Sequence, residues 1–358
     1  MRILELFVMK YRRKYHSSKQ ILLHQRAVIR RIKRRKEYLR KKHILKHTKI
    51  SYKVPIVLDT EGLLVTKATL PEIFSLNNLE ECIRFINQVT AGVANDKSIE
   101  RIYFDLSQII EIDYIGICFM LSLSNKLVGS CVSTKGNYPQ SIDARQFIIN
   151  SGFCELVSTN VRRSTNNVSS NILYTIGGTS VYNKKIGESI KETVFRLTGH
   201  REHYEPVYEN MLEICANSVE HGNDLVRDKN WMVSISFTDN YALFILMDTG
   251  DGIMRTLKRK TKELFEDLLS FKSSGEVLNG VFNKKYQSAT GEINRHKGLP
   301  NILTSFRLGY INDLRVITNK VYYTFSDNNF VKLKNEFRGT AFMWKVTKEN
   351  IEKYSYEN

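Results

Sequence analysis

The sequence predicts an α/β protein whose second half is α+β, and three observations carry the prediction. Between Pro55 and Val157, β-rich runs ("PIVLD", "RIYFDL", "SCVST") alternate with helical patterns ("LEECIRFINQV", "DARQFIINSGF"), as in strands joined by helices. From about residue 187, two amphipathic helices precede strands that are adjacent in sequence, which predicts a mixed or antiparallel sheet. At 358 residues the chain is too long for one small core.

The first element is a basic arm, residues 1–53. The chain holds 54 Lys and Arg against 37 Asp and Glu, a net charge of +17. The arm carries 19 of those cations and only two acids, Glu5 and Glu37, so the rest of the chain is neutral. Ile21, Val28, Ile32 and Leu39 form a narrow helical seam among cations. Arg30, Arg31, Lys33, Arg34, Arg35, Lys36, Arg40, Lys41 and Lys42 are the densest run. Like charges four residues apart repel on a helix, so an anionic partner is expected. A solvated tail and an acidic membrane surface are alternatives. Nucleic acid, DNA or RNA, is the favoured partner, contacted mainly at phosphates because no base-reading motif is visible.

Residues 54–160 form the α/β segment. Its run "YIGICFML" is far shorter than the roughly 18 apolar residues of a membrane span and follows Glu111 and Asp113. No transmembrane helix and no signal peptide are expected. The five cysteines are scattered among apolar neighbours without a C-x-x-C pair, which suggests reduced core residues and a cytoplasmic location. The polar stretch "STNVRRSTNNVSSN" leads into an expected linker, 161–184.

Residues 185–358 form the last segment: helices at about 187–198 and 204–221, strands "MVSISF" and "YALFILMD", and a glycine turn. A long irregular stretch, a short helix after Gly298 and strands at "LRVIT", "VYYTF" and "TAFMWKV" complete it. Four motifs in it can carry chemistry. In "LEICANSVEHG", Glu213, Asn217 and Glu220 recur at spacings of four and three, which puts them on one helical face, opposite a stripe of Val207, Met211, Ile214 and Cys215. An ordinary solvated face has the same pattern. In "LFILMDTGDGI", an apolar strand runs into Asp248, followed by Gly250 and Gly252. A carboxylate there can accept from an exocyclic amine, and glycines permit close backbone approach; a plain turn is the alternative. In "GEINRHKGLPNI", Gly298 opens a helix whose free N–H groups, with Lys297, suit phosphate. In "FRGTAFMWKV", Gly339 and Thr340 begin the last strand. Between the second and third motifs, "SFKSSGEVLNGVFNKKYQSAT" reads as a mobile lid.

In this order the four motifs resemble the GHKL (Bergerat-fold) ATPases over roughly residues 185–348. The resemblance implies a GHKL α/β sandwich that binds ATP and Mg2+. Asn217 would be the magnesium ligand, giving one hard oxygen. Glu213 would be the catalytic base that polarises the attacking water or hydroxyl. Asp248 would read adenine, with Gly250 and Gly252 in its box and Thr340 supporting it. Gly298 and Leu299 match the second box, which has fewer glycines here than the family pattern, and Lys297 would add a point charge for phosphate. The motif E-x-x-x-N-[AS]-x-x-H-G is most similar to anti-sigma-factor serine kinases. His200 and His203 lie too near this helix to form a phosphoacceptor hairpin, and no Walker-type G-x-x-x-x-G-K-[ST] occurs.

The middle segment, through "RIYFDLSQIIEIDYIGICFMLSLSNKL" and "ARQFIINSGF", resembles STAS domains. Where that family often places a phosphoacceptor serine, this chain has Tyr114, in Asp113-Tyr114-Ile115-Gly116. Together the resemblances imply an ATP-binding, ATP-hydrolysing switch protein in a regulatory or antiviral assembly. Alternatives are a serine/threonine protein kinase of the anti-sigma-factor type and a non-hydrolysing ATP-sensing scaffold. The expected partners are nucleic acid at residues 1–53 and a protein at the STAS-like domain, with an oligomer left open.

Overall fold

The computed structural model describes residues 56–58, 64–157, 171–177, 183–221, 230–260, 273–283 and 298–357, of which 56–58, 175–177, 217–221, 230, 259–260 and 298 are described by backbone alone. The basic arm, 1–53, with every cation named above from Arg30 to Lys42, lies outside the described residues.

The first unit is a four-stranded sheet of order β1-β2-β4-β6. Strand β1 (Ile56–Leu58) runs antiparallel to β2 (Leu64–Thr69), whereas β2, β4 (Arg101–Asp105) and β6 (Ser133–Gly136) are parallel. Parallel neighbours need crossovers, and α1 (Leu79–Asn95) and α2 (Tyr114–Gly129) supply them. A short parallel pair, β3 (Ile73–Phe74) and β5 (Glu111–Ile112), joins the entries to both helices. Helices α3 (Ile142–Asn150) and α4 (Phe153–Leu156) close the unit.

Asp113 starts α2. One of its carboxylate oxygens accepts from Gly116 N–H at 2.8 Å and the other from Leu76 N–H at 2.8 Å, so one side chain caps the helix and fixes the neighbouring loop. Burial pushes this carboxyl upward in pKa, against the pull of those two N–H groups.

The second unit is built on a five-stranded antiparallel sheet of order β10-β11-β9-β8-β7. Its strands are β7 (Ile172–Gly177), β8 (Asn230–Phe237), β9 (Tyr241–Asp248), β10 (Asn312–Thr324) and β11 (Asn329–Thr347). Helices α5 (Asn183–Thr198), α6 (Glu205–His221), α7 (Ile253–Lys260), α8 (Ser274–Phe282) and α9 (Gly298–Arg307) accompany it, and α10 (Lys348–Glu357) ends the chain.

Alternation along the strands sorts their side chains between two cores. Trp231, Val233 and Ile235, then Phe244 and Leu246, then Phe342, Trp344 and Val346 join α5, α6 and α9 on one face. Their alternates, Met232, Ile245, Met247, Ala341 and Met343, face α1 and α2 of the first unit. A sheet covered on both faces reads as continuous apolar sequence, which is why "ALFILM" has no polar position before Asp248. Helix α2 lies between the two sheets and contacts β6, β8 and β9. It is buried nearly all round, from Ile115 to Leu123, which explains its membrane-like run "YIGICFML".

Four details depart from the sequence expectations. Strand β7 falls inside the expected linker 161–184, where Ile172, Leu173 and Tyr174 pair with β8. "LRVIT" and "VYYTF" are one strand, β10, with register shifts around Asn319. The centre of the expected lid is α8, which has a Ser273/Glu276 capping box and buries Val277, Leu278 and Phe282 in the core; an anchored helix replaces a loop there. Cys131 is exposed rather than buried, because it sits in a turn with φ 62°. Among the described residues, no helix is long and apolar enough to cross a membrane.

Candidate functional site

Helix α6 places Val207, Met211, Ile214 and Cys215 in the core, so the predicted apolar stripe is the buried one. Glu213 is half-buried on the flank of that stripe. Asn217 lies one turn further along the same helix, where the backbone alone is described, as it does for Glu220. Helix α9, which starts at Gly298, packs beside α6. Asn210 and Ser305 meet at 3.5 Å between them. Leu299 is half-buried against the core, and Lys297 lies outside the described residues.

Asp248 is the last residue of β9. It falls on the helix-covered side, two residues beyond Leu246, and its register partners are Trp231 on β8 and Thr340 on β11. The three make one cross-strand row at the end of the sheet, with neighbouring Cβ atoms about 5 Å apart. The charge of Asp248 reaches α6: burial pushes the Cys215 thiol well above its usual range, and Asp248 raises it further. Helix α6 contacts β9, and Cys215 shares a core with Leu246, two residues before Asp248, so the helix and this end of the strand form one locus. One Asp248 oxygen accepts from Gly250 N–H at 2.7 Å, which turns the carboxylate back over its own loop.

Packing of the loop against the two outer strands requires one glycine in the loop and one on β11. Gly252 has φ 79°, and a Cβ there would stand 2.6 Å from Asn319 Oδ1 and 2.8 Å from Gly339 O. Gly339 has φ 138°, and a Cβ on it would run into the carbonyl of Asp248. Thr318, buried on β10, meets Thr340 hydroxyl to hydroxyl at 3.4 Å and donates to Gly339 O at 3.2 Å. Its oxygen also accepts from Ile253 N–H at 2.9 Å, while Asn319 Oδ1 accepts from Met254 N–H at 3.0 Å. The first amides of α7 are therefore taken by side chains of β10 and do not face a ligand.

Glu336 closes the far side of this loop. It accepts from Arg255 through both oxygens, at 2.7 and 2.6 Å, and from Asn319 Nδ2 at 3.2 Å. Burial opposes its charge, but the guanidinium and the amide outweigh burial and hold Glu336 below its ordinary pKa.

Of the residues named from sequence, Asp248, Gly250, Gly252 and Thr340 meet at the end of β9, and Glu213, Asn217 and Gly298 lie on α6 and α9. Thr318, Asn319 and Glu336, which hold the Asp248 loop, and Trp231, the β8 partner of Asp248, were not named. The available signal was an asparagine interrupting the apolar run "RVITNKVYY". His203 Nε2 lies 2.6 Å from Glu205 and its ring packs on Tyr208, while His200 is exposed. Two surface clefts, of about 270 and 400 Å3, lie elsewhere; one is beside Arg84, Gln88 and Gln108, the other beside His200, Lys348 and Tyr356.

Comparison of the chain with protein-family models and with curated proteins returned no match.

Proposed function

We propose that the second unit binds ATP with magnesium and that the protein is a nucleotide-driven switch of the GHKL type. The observation that carries this reading is the register pairing of Thr340 with Asp248 at the end of β9, beside the helix that bears Glu213 and Asn217. A carboxylate already oriented by a backbone N–H suits the exocyclic amine of adenine, and the hydroxyls of Thr340 and Thr318 lie on the adjoining strands. Gly252 and Gly339 let the loop close on β10 and β11, which holds the Asp248 end of the sheet in place.

Asn217 would supply the hard oxygen for magnesium, and bound magnesium-ATP would supply an electrophilic γ-phosphate. Glu213 would orient the attacking water and take its proton. Since the first α7 amides are occupied by Thr318 and Asn319, phosphate contacts are assigned to Lys297 and the start of α9.

The parallel β2-β4-β6 sheet with crossovers α1 and α2 supports a STAS-like reading of the first unit. Tyr114, in the position of the phosphoacceptor, is engaged within the chain: its hydroxyl accepts from Asn171 Nδ2 at 2.7 Å and its ring packs on Phe147 at 4.8 Å. With its hydroxyl and ring both engaged inside the chain, Tyr114 serves packing and is not offered as a phosphoacceptor. The arm, which carries the whole net charge, is assigned to nucleic-acid phosphates.

Full-length protein tests the reading. Asn217→Ala and Asp248→Ala each abolish magnesium-ATP binding in a folded protein, whereas Glu213→Ala binds and turns over poorly. Phosphate release without protein labelling marks an ATPase, a labelled protein marks a kinase, and neither marks a sensing scaffold. Unchanged ATP affinity in Asp248→Ala refutes the site. Deleting residues 1–53 removes nucleic-acid binding and leaves ATP binding intact. With roughly six phosphates neutralised, full-length affinity falls about a thousandfold between about 50 and 200 mM salt.

A further inference from the structure

We propose that Asn319 is the positioning residue of the Asp248 turn: its side-chain amide, steadied by Glu336, sets where the Asp248 carboxylate points and so how well the site separates adenine from guanine. The inference rests on the ATP reading above.

Asn319 lies in β10 at the point where the register with β11 shifts, and its backbone has φ 51°. Asparagine tolerates this left-handed conformation, which a β-branched strand residue would not. The twist turns the side chain out of the strand row and across to the loop. Although the residue is only 4% exposed, both the oxygen and the nitrogen of its amide are engaged there. Its oxygen accepts from Met254 N–H at 3.0 Å, and its nitrogen donates to Asp251 O at 2.8 Å and to Glu336 Oε1 at 3.2 Å. One side chain thus grips the loop at Asp251 and Met254, on either side of Gly252, whose missing Cβ leaves room for it.

The geometry carries through to Asp248. That residue is fixed on one side by the β9 ladder and on the other by the loop, through its bond to Gly250 N–H. Releasing Asp251 and Met254 frees the loop and with it the carboxylate direction, while the ladder and the core stay in place. A carboxylate accepts from the adenine amine but repels the carbonyl that guanine has there, so discrimination depends on its direction as well as its presence. Asn319 itself need not touch the nucleotide.

The test measures ATP and GTP affinity of full-length wild type, Asn319→Gly, Asn319→Asp and Asp248→Ala, together with thermal unfolding of each. Asn319→Gly keeps the left-handed backbone and removes the whole side chain with its amide. Asn319→Asp keeps shape and acceptor but loses the donor to Asp251 O and sets a carboxylate against Glu336, so it serves if the glycine variant does not fold. Loss of these bonds weakens ATP binding about tenfold. The ATP-to-GTP preference falls as well, which general loosening would not cause because it lowers both affinities alike. Wild type that binds ATP, with an Asn319 variant equal to it in affinity and preference, overturns the inference alone. Equal losses for ATP and GTP also overturn it. Wild type that binds no ATP overturns the underlying reading and the inference with it.

Discussion

The two faces of the five-stranded sheet are both apolar, yet different parts of the chain cover them. One face meets α5, α6 and α9, helices of its own unit, and the row of Trp231, Asp248 and Thr340 ends that face. The other meets α1 and α2, so Met232, Ile245, Met247, Ala341 and Met343 share a core with Ile83, Ile117 and Phe119. The first unit is therefore a structural layer of the second. Its contacts also extend to the strand segment behind the Asp248 loop. Glu80 accepts from Lys334 N–H at 2.6 Å and Asn335 N–H at 3.1 Å, and Asn87 donates to Glu336 O at 2.9 Å. These bonds give the Asp248 loop a short physical route to the first unit.

The comparison breaks most completely if the second unit is independent. A fragment of residues 171–358 leaves the α1/α2 face of the sheet bare, and such a patch aggregates or loses cooperative folding. A sharp unfolding transition of a monomeric fragment would show that the two faces are not equivalent. Next in size is Phe119→Ala, at the α2–β11 contact where Phe119 and Phe337 rings meet at 5.4 Å. Phe119 is fully buried, so denaturant unfolding of the full chain should show a loss of about 3–5 kcal/mol. Phe244→Ala, on the opposite face, should cost a similar amount.

A smaller effect follows at the edge of the interface. Tyr114→Phe leaves the ring on Phe147 and removes the acceptor for Asn171, a loss of about 1 kcal/mol by the same measurement. The smallest effect concerns Glu80. Burial pushes its carboxyl up, but the N–H groups of Lys334 and Asn335 outweigh burial and hold it below the usual range. A folded-state value below the unfolded one adds stability that is present above the unfolded pKa, about 4.3, and is lost as pH falls through the folded value. Wild type should exceed Glu80→Gln by ~1 kcal/mol or less near neutrality, and the gap should close in acid below about pH 4. A gap that widened in acid would contradict the sign.

What could be read from sequence follows from what the sequence encodes locally. Strand β9 was delimited at both ends because an apolar run stopped at Asp248 and glycine followed. Helix α6 was legible from its stripe, and the crossovers from their alternation with strands. Strand β7 was not, since Ile172 to Gly177 owes its state to pairing with β8 and lies in a polar, glycine-containing context. Nor was α2's position between two sheets: its run showed burial on every side but not by what. Thr318, Asn319 and Glu336 were invisible as support for the loop because each acts from 65 or more residues away, and strand periodicity does not report such distances.

Hydrogen exchange of the full-length protein with and without millimolar magnesium-ATP tests the central claim most directly, that the nucleotide site lies at the Asp248 end of the helix-covered face. The account predicts slower exchange in peptides covering α6 and in those from β9 through α7, while β2 and β4 stay unchanged. Protection confined to the first unit, or no change in either unit, would contradict it.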